Sequence, residues 1–245
     1  MKLVMSPAKT FRKAAISCAP EVLPFPDKTA FLVQKLKALA PEAIEKRFHL
    51  SAALAQTVWN YYDGFGSTTF KAGDLYLGEA FKALDYPSLN TKAKRYSHGH
   101  LLIFSALYGL IRPDQTISPY RLDLNIPMQD LIGSSLLGYW QYTLRDRLKD
   151  ETILDLSSQE FSQLLEPGQC LRLDFQICTK GHLASQSMVS KRMRGLYARS
   201  LCEEPLQSRK QLKQRSLEGF QYSELLSSAH KYIYIKGELS NDYTK

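Results

Sequence analysis

Residues 2–10 read Lys2-Leu3-Val4-Met5-Ser6-Pro7-Ala8-Lys9-Thr10, an apolar run of strand length that breaks at once into a turn of mostly small residues. Lys2–Met5 is too short for a secretory signal and reads as the first, buried strand of the fold. The turn after it carries Ser6, Lys9 and Thr10, so it can offer hydroxyls, backbone N–H groups and one cation to a phosphate. It is not a P-loop, because the glycines and the Gly-Lys-Ser/Thr ending are missing. A plain strand-to-loop turn with a surface lysine is spelled the same way.

A second apolar strand, Thr152–Leu156, ends in a comparable turn, Ser157-Ser158-Gln159-Glu160-Phe161. Open α/β sheets place ligands at the carboxyl ends of strands, which makes Asp155 and Glu160 candidate acids or bases. Ser157 or Ser158 as a helix cap, with Glu160 in the first turn, explains the same spelling. Around these two strands the periodicity predicts helices over Thr29–Leu39, Pro41–His49, Ala52–Tyr62, Glu79–Leu84, Leu136–Leu148 and Ser187–Leu201. Further strands are expected at Gly73–Leu77, Leu171–Cys178 and Lys231–Lys236, and His100–Phe104 reads as a buried strand or the start of a helix. Helices and strands interleave with no repeat and no long Gly/Ser linker. The expected fold is therefore α/β (mixed α+β), one domain over residues 1–245.

The balance of 32 Lys and Arg against 24 Asp and Glu gives a net charge of +8, which favours polyanionic partners. Nine basic residues fall between Lys180 and Arg215, opposed there only by Glu203 and Glu204. Within that stretch Lys191, Arg192 and Arg194 form the densest knot; on a helix they can meet one phosphate or strand together. The alternative is a solvated helical face. No apolar run approaches the roughly 20 residues of a membrane span, so no membrane association is expected. Cys18, Cys170, Cys178 and Cys202 are scattered without a CxxC pair, as in a reduced, cytoplasmic protein without a disulfide framework. His98 and His100 lack a third ligand nearby, so neither a metal nor another cofactor is expected.

The segment Leu107–Leu124 holds Gly109, two prolines (Pro113 and Pro119) and two arginines, Arg112 and Arg121. A stiff connection of this kind can bring backbone amides close to a nucleic-acid phosphate, with arginine as a bidentate clamp. It can equally be a structural loop whose arginines pair with Asp114 and Asp123.

Taken in order, "MSPAKT" (Met5–Thr10), "GDLYLG" (Gly73–Gly78), "SALYGLIRPDQTISPYRLDL" (Ser105–Leu124), "LDLSSQEF" (Leu154–Phe161) and "KRMRG" (Lys191–Gly195) resemble the landmarks of the YaaA peroxide-stress family. Trp140 and "EGF" (Glu218–Phe220) fit as well. The resemblance implies a single compact domain with a positively charged cleft and a helix-hairpin-helix element, mapped here onto Leu101–Leu124. It also implies a role in limiting iron-driven oxidative damage and binding to duplex or branched DNA without sequence specificity. Asp155 and Met193 depart from the usual Asn and Ala of the pattern. The expected DNA contacts are Lys9, Gly109, Arg112, Arg121, Lys191, Arg192 and Arg194. The rival expectation is an enzyme acting on a nucleotide or nucleobase, its site gathering Ser6, Lys9, Thr10, Asp155, Ser157 and Glu160.

Overall fold

In the computed structural model, which describes residues 1–238, eleven strands follow in chain order. They are β1 (Lys2–Met5), β2 (Ser17–Cys18), β3 (Thr69–Lys71), β4 (Leu101–Ser105), β5 (Gly109–Ile111), β6 (Thr116–Ile117), β7 (Ile153–Leu156), β8 (Cys170–Thr179), β9 (His182–Ala184), β10 (Gln221–Ser228) and β11 (Lys231–Lys236). Eight of them make one mixed sheet in the order β10-β11-β8-β7-β1-β4-β5, with β9 pairing β8; β2, β3 and β6 form a small antiparallel sheet beside it. β1 is parallel to both neighbours, with Leu3 opposite Leu101 on one side and Leu154 on the other. A strand buried on both faces must be apolar throughout. Leu3, Val4, Leu101, Ile103, Leu154 and Leu156 accordingly lie in the core, each worth about 1.5–3 kcal/mol of burial.

The helices are α1 (Pro26–Lys37), α2 (Pro41–Phe48), α3 (Ala52–Asp63), α4 (Ala72–Leu75), α5 (Glu79–Leu84), α6 (Thr91–His100), α7 (Gln129–Ile132), α8 (Leu136–Leu148), α9 (Gln159–Ser162), α10 (Ser187–Glu203) and α11 (Arg209–Gln214). With the sheet they build a single α/β domain. α10 lies against β7 and β8, α6 against β4, and α8 against β5. None of the helices among the described residues is long and apolar enough to cross a membrane.

Two expectations are corrected. Gly73–Leu77 is not a strand but the helical turn α4 running into Tyr76; the ring of Tyr86 sits where a side chain on residue 73 would project, 2.5 Å from that position. The helix-hairpin-helix mapped onto Leu101–Leu124 is absent there. Those residues form β4, a three-residue turn, β5 and β6, because Leu101-Leu102-Ile103-Phe104 pairs with β1 and β5 returns antiparallel with Ile103 opposite Ile111. Gly109 does adopt a positive φ, +77°. What approaches it is the ring of Trp140, whose Nε1 donates to the Ala106 carbonyl at 2.8 Å.

α5 and α10 meet backbone to backbone at Gly195. A Cβ there would stand 2.0 Å from the Ala80 carbonyl oxygen. Gly195→Ala is expected to destabilise the protein by about 1–3 kcal/mol through overpacking. At this chain length that lowers the melting temperature by about 2–4 °C per kcal/mol. Gly99→Ala, on the exposed face of α6 where nothing lies within 4 Å, is expected to raise stability by about 0.5–1 kcal/mol. Thermal unfolding of the two variants beside the parent checks the contrast.

Candidate active site

The chain leaves β1 toward β4 on one side of the sheet and later returns with β7 on the other. Beyond the carboxyl end of β1 lies a topological switch point, where the connections diverge and leave a crevice. Two turns floor it, Ser6–Thr10 after β1 and Ser157–Phe161 after β7. A serine stitch joins them: the Ser158 N–H donates to Ser6 Oγ at 2.7 Å, and Ser6 Oγ donates to Ser158 Oγ at 3.0 Å.

Asp155 stands behind this floor, only 1% exposed. Its Oδ1 accepts from the Ser157 N–H at 2.8 Å and from Ser157 Oγ at 2.6 Å. Its Oδ2 accepts from Arg172 Nη1 at 2.8 Å and also from Ser162 Oγ. Both carboxylate oxygens are therefore occupied, and Asp155 does not line the crevice. It holds the β7 turn in shape, and of the two candidate carboxylates only Glu160 reaches the open space.

The third wall comes from Pro119–Leu124, held by buried hydroxyls. Tyr120 OH receives Ser105 Oγ at 2.7 Å and meets Tyr76 OH at 2.8 Å, while Tyr62 OH donates to the Arg121 carbonyl at 2.6 Å. Ser105 Oγ in turn accepts from the Leu107 and Tyr108 N–H groups. Burial pushes the Tyr120 hydroxyl up to about 12, so it stays a neutral hydrogen-bonding group at physiological pH. Because buried polar groups must be paired, this lattice leaves the backbone of Arg121 little freedom. Arg121 and Asp123 are thereby fixed at the pocket wall.

The result is a cavity of about 720 Å³, within the range of small-molecule sites. Ser6, Lys9, Thr10, Arg121, Glu160, Lys191 and Arg194, all named from the sequence, line it together. Apolar surface comes from Phe81, Leu156 and Phe161. The lining carries five cations (Lys9, Lys82, Arg121, Lys191, Arg194) and three carboxylates (Glu79, Asp123, Glu160). Lys9 Nζ bridges to Asp123 Oδ2 at 2.7 Å, closing the first turn onto the third wall. The Glu160 carboxyl is held above its ordinary range, first by burial and then by the neighbouring Asp123, partly offset by Lys9. Its Oε1 is buried with no hydrogen-bond partner.

The remaining candidates stand elsewhere. Arg112 is exposed and paired with Asp114 at 3.0 Å, and Arg192 is exposed and paired with Glu218. Neither borders the cavity. Gly109 is buried under Trp140 and Phe25, so close approach of DNA to its backbone is not available in this fold. His98 meets the Tyr86 hydroxyl at 3.0 Å, and His100 stacks on Tyr96 with centroids 4.1 Å apart. No group of three or more His, Cys, Asp or Glu among the described residues could hold a metal. Sequence reasoning missed Arg172, Asp174 and Met188. Arg172 and Asp174 were legible only as the polar side of the alternating β8.

The same landmarks place the chain among known proteins. The pattern of the family described as peroxide stress protein YaaA matches residues 1–226. A UPF0246 protein of Polynucleobacter asymbioticus is 30% identical over 97% of this chain and 99% of its own length. UPF0246 proteins of Finegoldia magna (29% identical, 98% of this chain, 100% of theirs) and Neisseria gonorrhoeae (27%, 97% and 99%) are similar over the same extent. Matched from its first residue to within the penultimate strand, this chain belongs to the peroxide stress protein YaaA family.

Proposed function

We propose that the crevice is the site of an enzyme that binds a nucleotide or nucleobase and moves a proton on it through Glu160, in the peroxide response after which the family is named. The observation that carries this reading is the convergence of Lys9, Arg121 and Glu160, from three separate segments, on one walled cavity. Binding to a phosphate backbone needs only cations on an open surface. It does not need a half-buried carboxyl held above its ordinary range inside the same walled space. A base works best with its ionisation near the operating pH, and the direction in which burial moves Glu160 is toward that.

A second reading, DNA binding without sequence specificity, is favoured by one feature. Lys9 and Lys191 are both exposed at the pocket, and Lys191 has no ion-pair partner among the described residues. They and Arg121 would neutralise phosphates. Arg112 and Arg192, which lie outside the cavity, contribute less, and Gly109 is buried away from any DNA contact.

Two outcomes are expected. A panel of nucleosides, mononucleotides and free bases contains a compound that raises the melting temperature; at about 100 times its Kd it stabilises by about 2.7 kcal/mol. With that compound as substrate, Glu160→Gln lowers kcat by about 10²–10⁴-fold. It also removes the limb on which the rate climbs with pH through a carboxyl ionisation above the ordinary range. A panel without a single stabilising compound sinks the enzyme reading. For DNA, gel shifts over a salt series with Lys9→Ala/Lys191→Ala should show weaker binding and a shallower salt slope, by about one to two counterions; an unchanged slope rejects the second reading.

A further inference from the structure

We infer that the cavity is bipolar and takes a nucleoside monophosphate, its phosphate on Arg194 and Lys191 and the donor edge of its base on Glu160. The inference rests on the nucleotide reading above and adds which end of the ligand goes where.

Arg194 is the under-compensated cation of the fold. Its side chain is 13% exposed, and its Nε is buried without a hydrogen-bond partner. The carboxylate it faces, Asp174, is 3.7 Å away, beyond hydrogen-bond reach. Asp174 is already shared by Arg172 at 3.1 Å and Lys231 at 3.0 Å. Asp155, the other acid nearby, is taken up by Arg172, Ser157 and Ser162. Three cations thus face two carboxylates in a partly buried place, and burial together with Arg172 works against the charge of Arg194. A guanidinium has five donors in a planar fork and no way to lose its charge, so it calls for an anion. Lys191 lies one helical turn earlier, on the same face of α10, and lines the same cavity. A phosphate monoester, carrying about −1.5 to −2 at neutral pH, suits this pair of cations, and the fork can grip it bidentately.

The other pole differs in kind. Glu160 lies on the turn after β7 and lines the cavity with Lys9 and Asp123, which are bridged to each other, whereas Arg194 lies on α10 and faces Asp174. At the Glu160 pole the cavity is lined by a carboxylate, which can only accept hydrogen bonds when ionised. Ring N–H and exocyclic amino groups are the donors such a pole reads. A ligand with a planar donor head and an anionic tail satisfies both ends; a free base or a bare phosphate satisfies one.

Calorimetric titration of the full chain at neutral pH with a nucleoside 5′-monophosphate, its nucleoside and inorganic phosphate tests the assignment. The base is the one found by the melting panel. The monophosphate is expected to bind at least about tenfold more tightly than the nucleoside. Arg194→Gln should abolish that preference while leaving nucleoside affinity within about twofold. Lys191→Gln, at an exposed position that folding does not need, should reduce the preference by itself. It keeps the test decisive where Arg194→Gln unfolds the β8 side. Glu160→Gln should weaken nucleoside and monophosphate in the same proportion. Equal affinity for nucleoside and monophosphate in the parent protein overturns the phosphate assignment and leaves the nucleotide reading standing. A preference that survives both Lys191→Gln and a folded Arg194→Gln also overturns the assignment. Failure of all three ligands to bind removes both.

Discussion

Both edges of Lys2–Met5 are hydrogen-bonded to parallel neighbours, and the site follows from that one constraint. A four-residue strand with β4 on one side and β7 on the other cannot lie at an edge, so its carboxyl end must open into the middle of the sheet. The chain arriving there has nowhere to run but outward, and the segments after β1 and β7 are forced together as turns. The Ser6–Ser158 stitch is the local consequence. Polar side chains of unremarkable type acquire a common cavity because the backbone that carries them converges.

Within that frame the labour is divided between groups that hold and groups that face the opening. Asp155 and Glu160 are five residues apart and both acidic, yet one is saturated by Ser157, Ser162 and Arg172 while the other lines the cavity. The tyrosines divide similarly. Tyr62, Tyr76 and Tyr108 spend their hydroxyls on the loop that ends in Asp123, and the energetic reason is that an unpaired buried hydroxyl costs about 1–3 kcal/mol. Their contribution to any chemistry is the placement of Arg121 and Asp123.

Much of this was legible in the chain itself. The apolar runs at Lys2–Met5 and Thr152–Leu156 and the helical spacing of Leu136–Leu148 are local signals, and they read correctly to within a residue. Strand ends suggested a site gathering Ser6, Lys9, Thr10, Asp155, Ser157 and Glu160 as one of two readings; Asp155 and Ser157 do not line the cavity. The error over Leu101–Leu124 has a physical origin. A short apolar run followed by a glycine fits a helix stop as well as a β-hairpin, and what decides is the partner strand β1, a hundred residues away in sequence. Gly109 stood out in the sequence as the one glycine of its segment, and it takes a positive φ. Its neighbour could not be read, because Trp140 reaches it only through the packing of α8 on β5. Arg172 was invisible for the same reason: its importance lies in Asp155 across a strand pair. β10 escaped notice because Gln221–Ser228 does not alternate cleanly, as befits a bulged edge strand.

The contact between Gly195 and the Ala80 carbonyl has a bearing on how this family could diversify. α5 and α10 both border the cavity, through Glu79 and Lys82 on one and Met188, Lys191 and Arg194 on the other. Where they touch a glycine meets a carbonyl, so the span between these walls is set by the backbone, and an added side chain at residue 195 disrupts the packing rather than tuning it. Change is tolerated more readily at Met188, which lines the cavity, is two-thirds exposed and can be exchanged without disturbing the frame. Descendants of one ancestor would share a chamber of constant width and differ in its threshold.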